Sequence, residues 1–593
     1  MIRTPLRPLA RILPARLKGE NPDVIERENI RLRHEEMRDS ARQLSEGRLL
    51  VLGAFFLFAF VTVGIRMGAL AASEPQEPRA MASGAAIIAQ RGDIVDRNGR
   101  ILATNLITHS LYAQPPIMVD KAAAARELAR IFPGLEETEL LAQFNGSRKF
   151  LWIKKKISPE QQQLVHDIGD PGLLFGPREM RLYPNGRLAA HVLGGSSFGR
   201  EGVQSAEVIG VAGVEKTFDS YLRDPATSGE PLELSLDLSV QAAAERVLAG
   251  GMKLMNAKGA ASVLMDVHTG EIISLVSLPD FDPNTRPALG IAANASDNPL
   301  FNRAVQGVYE LGSTFKTLAI AQALDIGLVN TSTMVDTRGP LVWGKYKIRD
   351  FHNYGRQLPV SDVLVKSSNI GTARIAQMIG AERQKDFLGD LGLLSATPVQ
   401  LTEAPGAKPL FPKRWSEIHT MTISYGHGLS ASPLHLASAY ASLVNGGTLV
   451  TPTLQKSTDY SAGPRIVSNQ TSATIRDLLR QVVTRGTASF GEVDGYSVGG
   501  KTGTADKPNP RGGYYDDKVI ATFASVFPAS DPRYVLVVSL DEPVETSGTE
   551  ARRTAGWTAV PVAAEMIRRM APLLGLRPDI EPNLPDGLTL TSN

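Results

Sequence analysis

No cysteine occurs among the 593 residues. That absence excludes disulfides, thiol nucleophiles and thiolate zinc sites, and it makes an oxidising compartment harmless to the chain. Net charge is scarce as well. Lys and Arg number 63 against 61 Asp and Glu, a formal +2 at pH 7, so nothing points to nucleic acid or to a strongly acidic partner. The nine histidines show no His-Glu-x-x-His or comparable ligand spacing, which leaves no metal and no cofactor to assign. The chain is too long for one core; at about 100–200 residues per domain it should hold three or four units.

One run lacks charge altogether. Leu49–Ile65 is apolar on every side and closed by Arg48 and Arg66. Its length is at the short end for a bilayer span, but Met67–Ala72 can extend it and the arginines can snorkel. Arg38, Arg42 and Arg48 precede the run, while only Arg79 follows closely after Ala72, which places the N-terminus in the cytoplasm. Ala69-Leu70-Ala71 resembles a signal-peptidase site, but the region before the span is much too long for a cleaved signal. The expected organisation is a cytoplasmic tail 1–48, an uncleaved transmembrane anchor 49–71 and a linker 72–85. A folded spacer 86–228, a larger domain 229–575 and a loose tail 576–593 complete it.

In the spacer, Ile87–Ala103 reads as a hairpin around Arg97-Asn98-Gly99, since Asn-Gly between apolar runs is a strong turn signal. Lys121–Ile131 and Pro159–Ile168 read as helices, the second capped by Ser158, and Phe150–Ile157 and Gly172–Phe175 as short strands. Arg91-Gly92-Asp93 invites an adhesion reading, but that triplet is common by chance. From Leu232 the pattern changes. Asp237 can cap a helix over Leu238–Met255, and Ala261–Val267 and Glu271–Leu278 form a hairpin across His268-Thr269-Gly270. Strands at Tyr496–Thr504, Val519–Phe527 and Tyr534–Leu540 precede an amphipathic closing helix, Val560–Leu574. Strands and helices segregated in this way imply an α+β layout, an antiparallel sheet packed between helices.

The chemistry centres on Tyr309–Lys316. A Gly-Ser turn opens an apolar run at helical spacing, Thr314–Leu324, so a helix starting at Ser313 puts Ser313 and Lys316 on one face. Burial disfavours an ammonium, so Lys316 can become a neutral amine able to take the serine's proton. The helix N-terminus adds N–H groups where an oxyanion would form. This is acyl transfer through a serine ester. Ser-x-x-Lys alone is weak, since it arises about once by chance in a chain this long. Two further triplets follow in order: Ser367-Ser368-Asn369, between Asp362–Lys366 and the helical run Thr372–Ile379, and Lys501-Thr502-Gly503 on an edge strand, Tyr496–Ala505. Together they are the signature set of penicillin-recognising serine enzymes.

Residues 49–575 accordingly resemble a class B penicillin-binding protein, and within that class the division-specific peptidoglycan D,D-transpeptidases of the FtsI (penicillin-binding protein 3) type. The spacer resembles that family's pedestal through Arg91–Gly99, Arg181-Leu182-Tyr183-Pro184 and Gly210–Glu215. Tyr309-Glu310, Phe315, Gly512–Tyr515 and Asp531–Tyr534 resemble the division branch; Leu311 departs from the proline usual there. The resemblance implies Ser313 as nucleophile, Lys316 as general base, Ser367 as proton relay and Asn369 as holder of the donor amide. It also implies Lys501 as positive potential, and Thr502, Gly503 and Thr504 as the site for the substrate carboxylate, with the N–H groups of Ser313 and Thr504 as oxyanion hole. Peptidoglycan stem peptides are the implied substrate and β-lactams the implied inhibitors, at the septum and on the periplasmic side of the inner membrane. Residues 73–231 carry no feature that reads as a glycosyl-transfer site, so a separate membrane polymerase and other division proteins are the expected partners. The pedestal around Arg91–Arg100 and Arg181–Glu215, and small residues of the span, are the expected docking parts.

Three rivals remain in view. Gly495–Thr502 fits the phosphate-loop pattern G-x-x-x-x-G-K-[ST], but Ser489–Asp494 is no buried strand, and Gly503–Gly513 holds glycines and prolines where a helix should begin. A membrane-tethered penicillin sensor would use the same serine without cross-linking. A β-lactamase or carboxypeptidase would pass the acyl group to water.

Overall fold

The computed structural model describes residues 12, 14–72, 91–201, 206–227, 230–288, 295–457, 461–509 and 511–579. The chain divides into two compact units, Met1–Ile87 and Ile88–Asn593. Of the expected segments, most of the linker 72–85 and residues 580–593 of the tail lie outside the described set.

In the first unit, α1 runs unbroken over Pro22–Ala72. Its described large apolar side chains between Leu49 and Ile65, including Phe55, Phe56, Phe58 and Phe60, are exposed. Among the described residues, no helix is long and apolar enough to cross a membrane.

The second unit opens with a mixed sheet. The expected hairpin is β1 (Ile94–Val95) and β2 (Ile101–Ala113), turned at Gly99 with φ +78°. Asp96 holds this turn by accepting from the N–H groups of Asn98 and Arg100. Then come α2 (Lys121–Ile131), capped by Asp120, and α3 (Glu137–Phe144). After them follow β3 (Leu151–Ile157) and α4 (Pro159–His166), the latter closed by a Ser158–Gln161 capping box. β4 runs from Leu173 to Leu182, longer than the sequence suggests, because it pairs with β2 along its whole length. Pro177 is tolerated within it because, among the described residues, β4 pairs with β2 alone. β5 (Gly195–Glu201) and β6 (Ala206–Ala212) form a separate ribbon. β7 (Leu232–Glu233) pairs with β1 in parallel, so the chain re-enters this sheet just before the second core begins.

That core is built on a five-stranded antiparallel sheet. Its strands are β8 (Gly259–Asp266), β9 (Ile272–Leu278), β12 (Gly499–Pro508), β13 (Tyr514–Phe527) and β14 (Tyr534–Asp541), in the order β12-β13-β14-β8-β9. Every residue of β8, β9 and β14 is buried, so helices must cover both faces. α5 (Leu238–Leu254), capped by Asp237, packs against α10 (Ala559–Met570) and the sheet, while α8 (Pro433–Val444) and α9 (Asn469–Arg485) pack on it as well. The closing helix is shorter than expected, since the chain turns off after Met570. Between them lie α6 (Phe315–Asp325), the hairpin β10 (Leu341–Trp343) and β11 (Tyr346–Ile348), and α7 (Asn369–Ile379). The α+β layout expected from the sequence is present.

The two parts of this unit are bolted together by charge. Arg97 pairs with Glu271 at 3.1 Å and Arg100 with Asp237 at 2.7 Å, while Asp96 also accepts from the N–H of Leu238. Arg91 and Arg181 each reach Glu215 at 2.7 Å, and all three are buried. These residues are consumed internally. The adhesion reading of Arg91-Gly92-Asp93 therefore falls, because the Arg91 charge does not face solvent.

Candidate active site

The nucleophile turn is tighter than a plain α-helix start. Gly312–Thr314 is a 3-10 turn, and α6 begins at Phe315, not at Ser313. Gly312 has φ +56°, and a Cβ there would come within 2.7 Å of Thr504 O. Gly503 is equally constrained, since its Cβ would meet Leu311 O at 2.2 Å. The edge strand and the serine turn thus lie backbone to backbone, and glycine on each side is what allows it. Behind the turn, the buried Tyr440 hydroxyl lies 2.8 Å from Thr314 O and 2.9 Å from Thr317 Oγ1. From the front, Glu310 Oε1 accepts from the N–H of Gly428 at 2.6 Å and from Tyr514 Oη at 3.1 Å.

α6 is buried on nearly every side, so Lys316 is fully buried one turn past the serine. Its amine donates to Ser367 O at 2.6 Å, Ser367 Oγ at 3.0 Å and Asn369 Oδ1 at 2.7 Å. Among the described residues no hydrogen bond joins it to Ser313. The side-by-side pair read from helical spacing is therefore a three-way cluster in which Ser367 stands beside the amine. Burial, and next the charge of Lys501, push Lys316 well below the usual lysine range, with Asp350 opposing. A neutral amine carries two N–H groups and one lone pair, so it can keep two of its three contacts and offer the lone pair to a proton.

Ser367 adopts φ +61°, the left-handed region. It lies just past the end of the helix Val360–Val365, where glycine is the common choice, and its N–H bonds to Leu364 O. A serine there costs about 1–2 kcal/mol of backbone strain. The position requires a hydroxyl, since Ser367 Oγ accepts from both Lys316 and Lys501, the latter at 3.1 Å. Lys501, on β12, is fully buried and is pushed down to about 7 by burial. Thr502 Oγ1 lies 2.7 Å from Thr487 Oγ1, and Thr504 Oγ1 accepts from the N–H of Ala555 at 3.0 Å. Ser313, Ser367, Asn369 and Thr504 are half-buried, beside two fully buried amines.

Sequence reasoning passes over Asp350. Its carboxylate accepts from Ser368 Oγ at 2.7 Å and from the N–H groups of Asn369 at 2.6 Å and Ile370 at 3.0 Å. It caps α7 from outside the helix and fixes Ser367-Ser368-Asn369 against Lys316. Its only sequence signal is an acidic residue in a loop.

The phosphate-loop reading fails on geometry. Lys501-Thr502 lies inside a strand, and the segment after it is still strand up to Pro508.

The site and sheet define a serine acyltransferase of the penicillin-recognising kind. The chain matches the penicillin binding protein transpeptidase domain over residues 260–564 and the penicillin-binding protein dimerisation domain over residues 86–227. It is 35% identical over 564 residues to a probable peptidoglycan D,D-transpeptidase FtsI of Caulobacter vibrioides, covering 92% of each chain. It is 33% identical over 481 residues to the probable peptidoglycan D,D-transpeptidase PenA of Neisseria gonorrhoeae, covering 77% of this chain and 81% of that one. The peptidoglycan D,D-transpeptidase FtsI of Escherichia coli K12 is 28% identical over 523 residues, covering 82% and 84%. The chain belongs to the class B penicillin-binding proteins, of the FtsI type.

Proposed function

We propose that this chain is a serine D,D-transpeptidase that cross-links peptidoglycan stem peptides in cell division, through an acyl-enzyme on Ser313 that β-lactams also form. The observation that carries the assignment of roles is the convergence of Lys316 and Lys501 on Ser367 Oγ, with Asn369 accepting from the same Lys316 amine one turn past Ser313. Ser313 Oγ attacks the carbonyl carbon of the penultimate D-alanine; a C–O bond forms and the C–N bond to the terminal D-alanine breaks. Neutral Lys316 takes the serine proton. Ser367 hands its own proton to the leaving amine and is reprotonated from Lys316. An acceptor amine then attacks the ester, its proton returns along the same path, and Ser313 is released. Asn369 orients the donor amide. Lys501 with Thr502, Gly503 and Thr504 holds the terminal carboxylate, and the N–H groups of Ser313 and Thr504 receive the oxyanion.

In this reading residues 86–228 form a pedestal, 229–575 the transpeptidase domain and 576–593 a tail. Residues 49–71 anchor the chain in the inner membrane, with the catalytic domain in the periplasm at the septum. The uncharged run Leu49–Ile65, with exposed apolar side chains, supports the anchor. A membrane glycan polymerase works beside it. Fluorescent-penicillin labelling of the full chain tests the site. Wild type labels and deacylates slowly, while Ser313→Ala stays folded and does not label; a labelled Ser313→Ala means another nucleophile. Alkaline extraction of membranes tests the anchor, which release of the full chain would disprove.

A further inference from the structure

The hairpin β10–β11 is mounted on the catalytic motif. Leu341 and Ile348, directly opposite each other, are buried in one cluster with Ile370 and Ala373 of α7. Trp343 and Tyr346, also opposite each other, lie on the same face of the ribbon, since side chains alternate and each opposed pair shares a face. That face is apolar and buried at its root and aromatic and open at its tip, where Trp343 is 38% and Tyr346 50% exposed. The turn between them is Gly344, at φ +56°. Lys345, Lys347 and Arg349 are exposed, none is in a salt bridge among the described residues, and no acidic residue lies between Leu341 and Arg349. The outgoing strand runs straight into the site. Arg349 O accepts from Asn369 Nδ2 at 2.9 Å, and Asp350 caps α7.

We propose that this hairpin is a docking platform for an uncross-linked glycan strand, with Trp343 and Tyr346 stacking on sugar rings and Lys345, Lys347 and Arg349 pairing with stem-peptide carboxylates. The inference rests on the transpeptidase reading and specifies how the polymer reaches the site. A saccharide ring presents a face of C–H groups that suits an aromatic plane, and the register sets Trp343 and Tyr346 opposite each other on one face of the ribbon, with Lys345 Nζ 5.5 Å over the Tyr346 ring. The cations complement the anionic stems and draw them in at long range. A membrane surface also attracts aromatic and basic side chains. The strand is favoured because the ribbon is fastened to Asn369, where a stem peptide must arrive and where a lipid surface has no role.

The test uses the full chain in detergent with fluorescent, soluble, uncross-linked glycan strands, and compares wild type, Trp343→Ala/Tyr346→Ala and Lys345→Gln/Lys347→Gln. For the aromatic pair, the half-saturating strand concentration should rise roughly tenfold, on the scale of losing two stacking contacts. The penicillin acylation rate should be unchanged. Trp343→Phe/Tyr346→Phe should restore most of the binding. The lysine pair should weaken binding of intact strands but not of strands stripped of their stems. Unchanged strand binding in the aromatic variant would overturn the proposal. So would a parallel fall in acylation, which makes the hairpin only a support for Asp350, or anionic phosphatidylglycerol vesicles displacing the strands. Loss of acylation in wild-type protein would instead sink the underlying assignment.

Discussion

Asp350→Ala separates the scaffold of the site from its reacting groups. The carboxylate accepts three hydrogen bonds at the start of α7, from Ser368 Oγ and the N–H groups of Asn369 and Ile370. At about 1 kcal/mol net per bond, the loss is about 3 kcal/mol, offset somewhat because the carboxylate no longer has to be desolvated. For a domain of this size that is a fall in Tm of roughly 5 °C. The chemical effect has two parts with different signs. Asn369 and Ser367 lose their fixed position, and acylation by penicillin should fall by roughly tenfold to a hundredfold, as expected of a displacement of about 1 Å. Lys316 loses the one carboxylate that raises its pKa, so its amine becomes neutral at lower pH and the acidic limb of the acylation profile moves down. Second-order acylation constants for the full chain, measured between about pH 5 and pH 9 beside a thermal melt, read both parts. An upward shift of the acidic limb, or an unchanged rate alongside a lowered Tm, would refute the account of Asp350 as the residue that couples helix cap and base.

Glu215→Gln should destabilise the pedestal by about 3–5 kcal/mol, because Arg91 and Arg181 stay buried without their anion; urea midpoints check this. Gly503→Ala should cut penicillin labelling by about a hundredfold with little loss of global stability, since the new Cβ presses on Leu311 O at 2.2 Å and drives the strand off the serine turn. Labelling at the wild-type rate would show that the approach is slack. Lys501 predicts a stability slope. Burial pushes its pKa down to about 7 in the folded chain, against the ordinary lysine value of 10.5 once unfolded, so the unfolded chain binds more protons over that window. Stability from this group therefore rises with pH from about 7 to about 10 and is flat below, and Lys501→Met should flatten the slope in unfolding curves.

The candidate site was legible because each motif is local. Ser313 and Lys316 share one turn, Ser367 and Asn369 flank one helix start, and Lys501 to Thr504 share one strand. Periodicity located α2, and capping and turn signals located α4, α5 and the β8–β9 hairpin, where Ser158, Asp237 and Gly270 mark the boundaries. What sequence left hidden depends on distant residues meeting. Glu215 lies 124 positions from Arg91, so nothing local reveals that the arginine is buried rather than presented to a partner. The length of β4 depends on β2, and its own Gly176-Pro177 argues for a break. The partners of Lys316 required the fold as well, because Ser367 reaches the amine only from a left-handed backbone that no propensity favours.

The site holds two buried amines and a strained serine, and each costs stability. The arrangement persists because its three segments are fixed from outside: Tyr440 behind the serine turn, Asp350 over the start of α7, and the β13 ladder alongside β12. Those clamps come from separate parts of the domain, and none of them touches the reacting atoms. The charge of Lys501 also lowers the tendency of Lys316 to hold a proton. The lowered pKa of Lys316 is thus a product of the assembled domain and not of its own helix. In the unfolded chain, or with β12 displaced, the amine regains water and its proton and cannot serve as a base. In the proposed mechanism, acylation of Ser313 is for that reason a readout of all three segments at once.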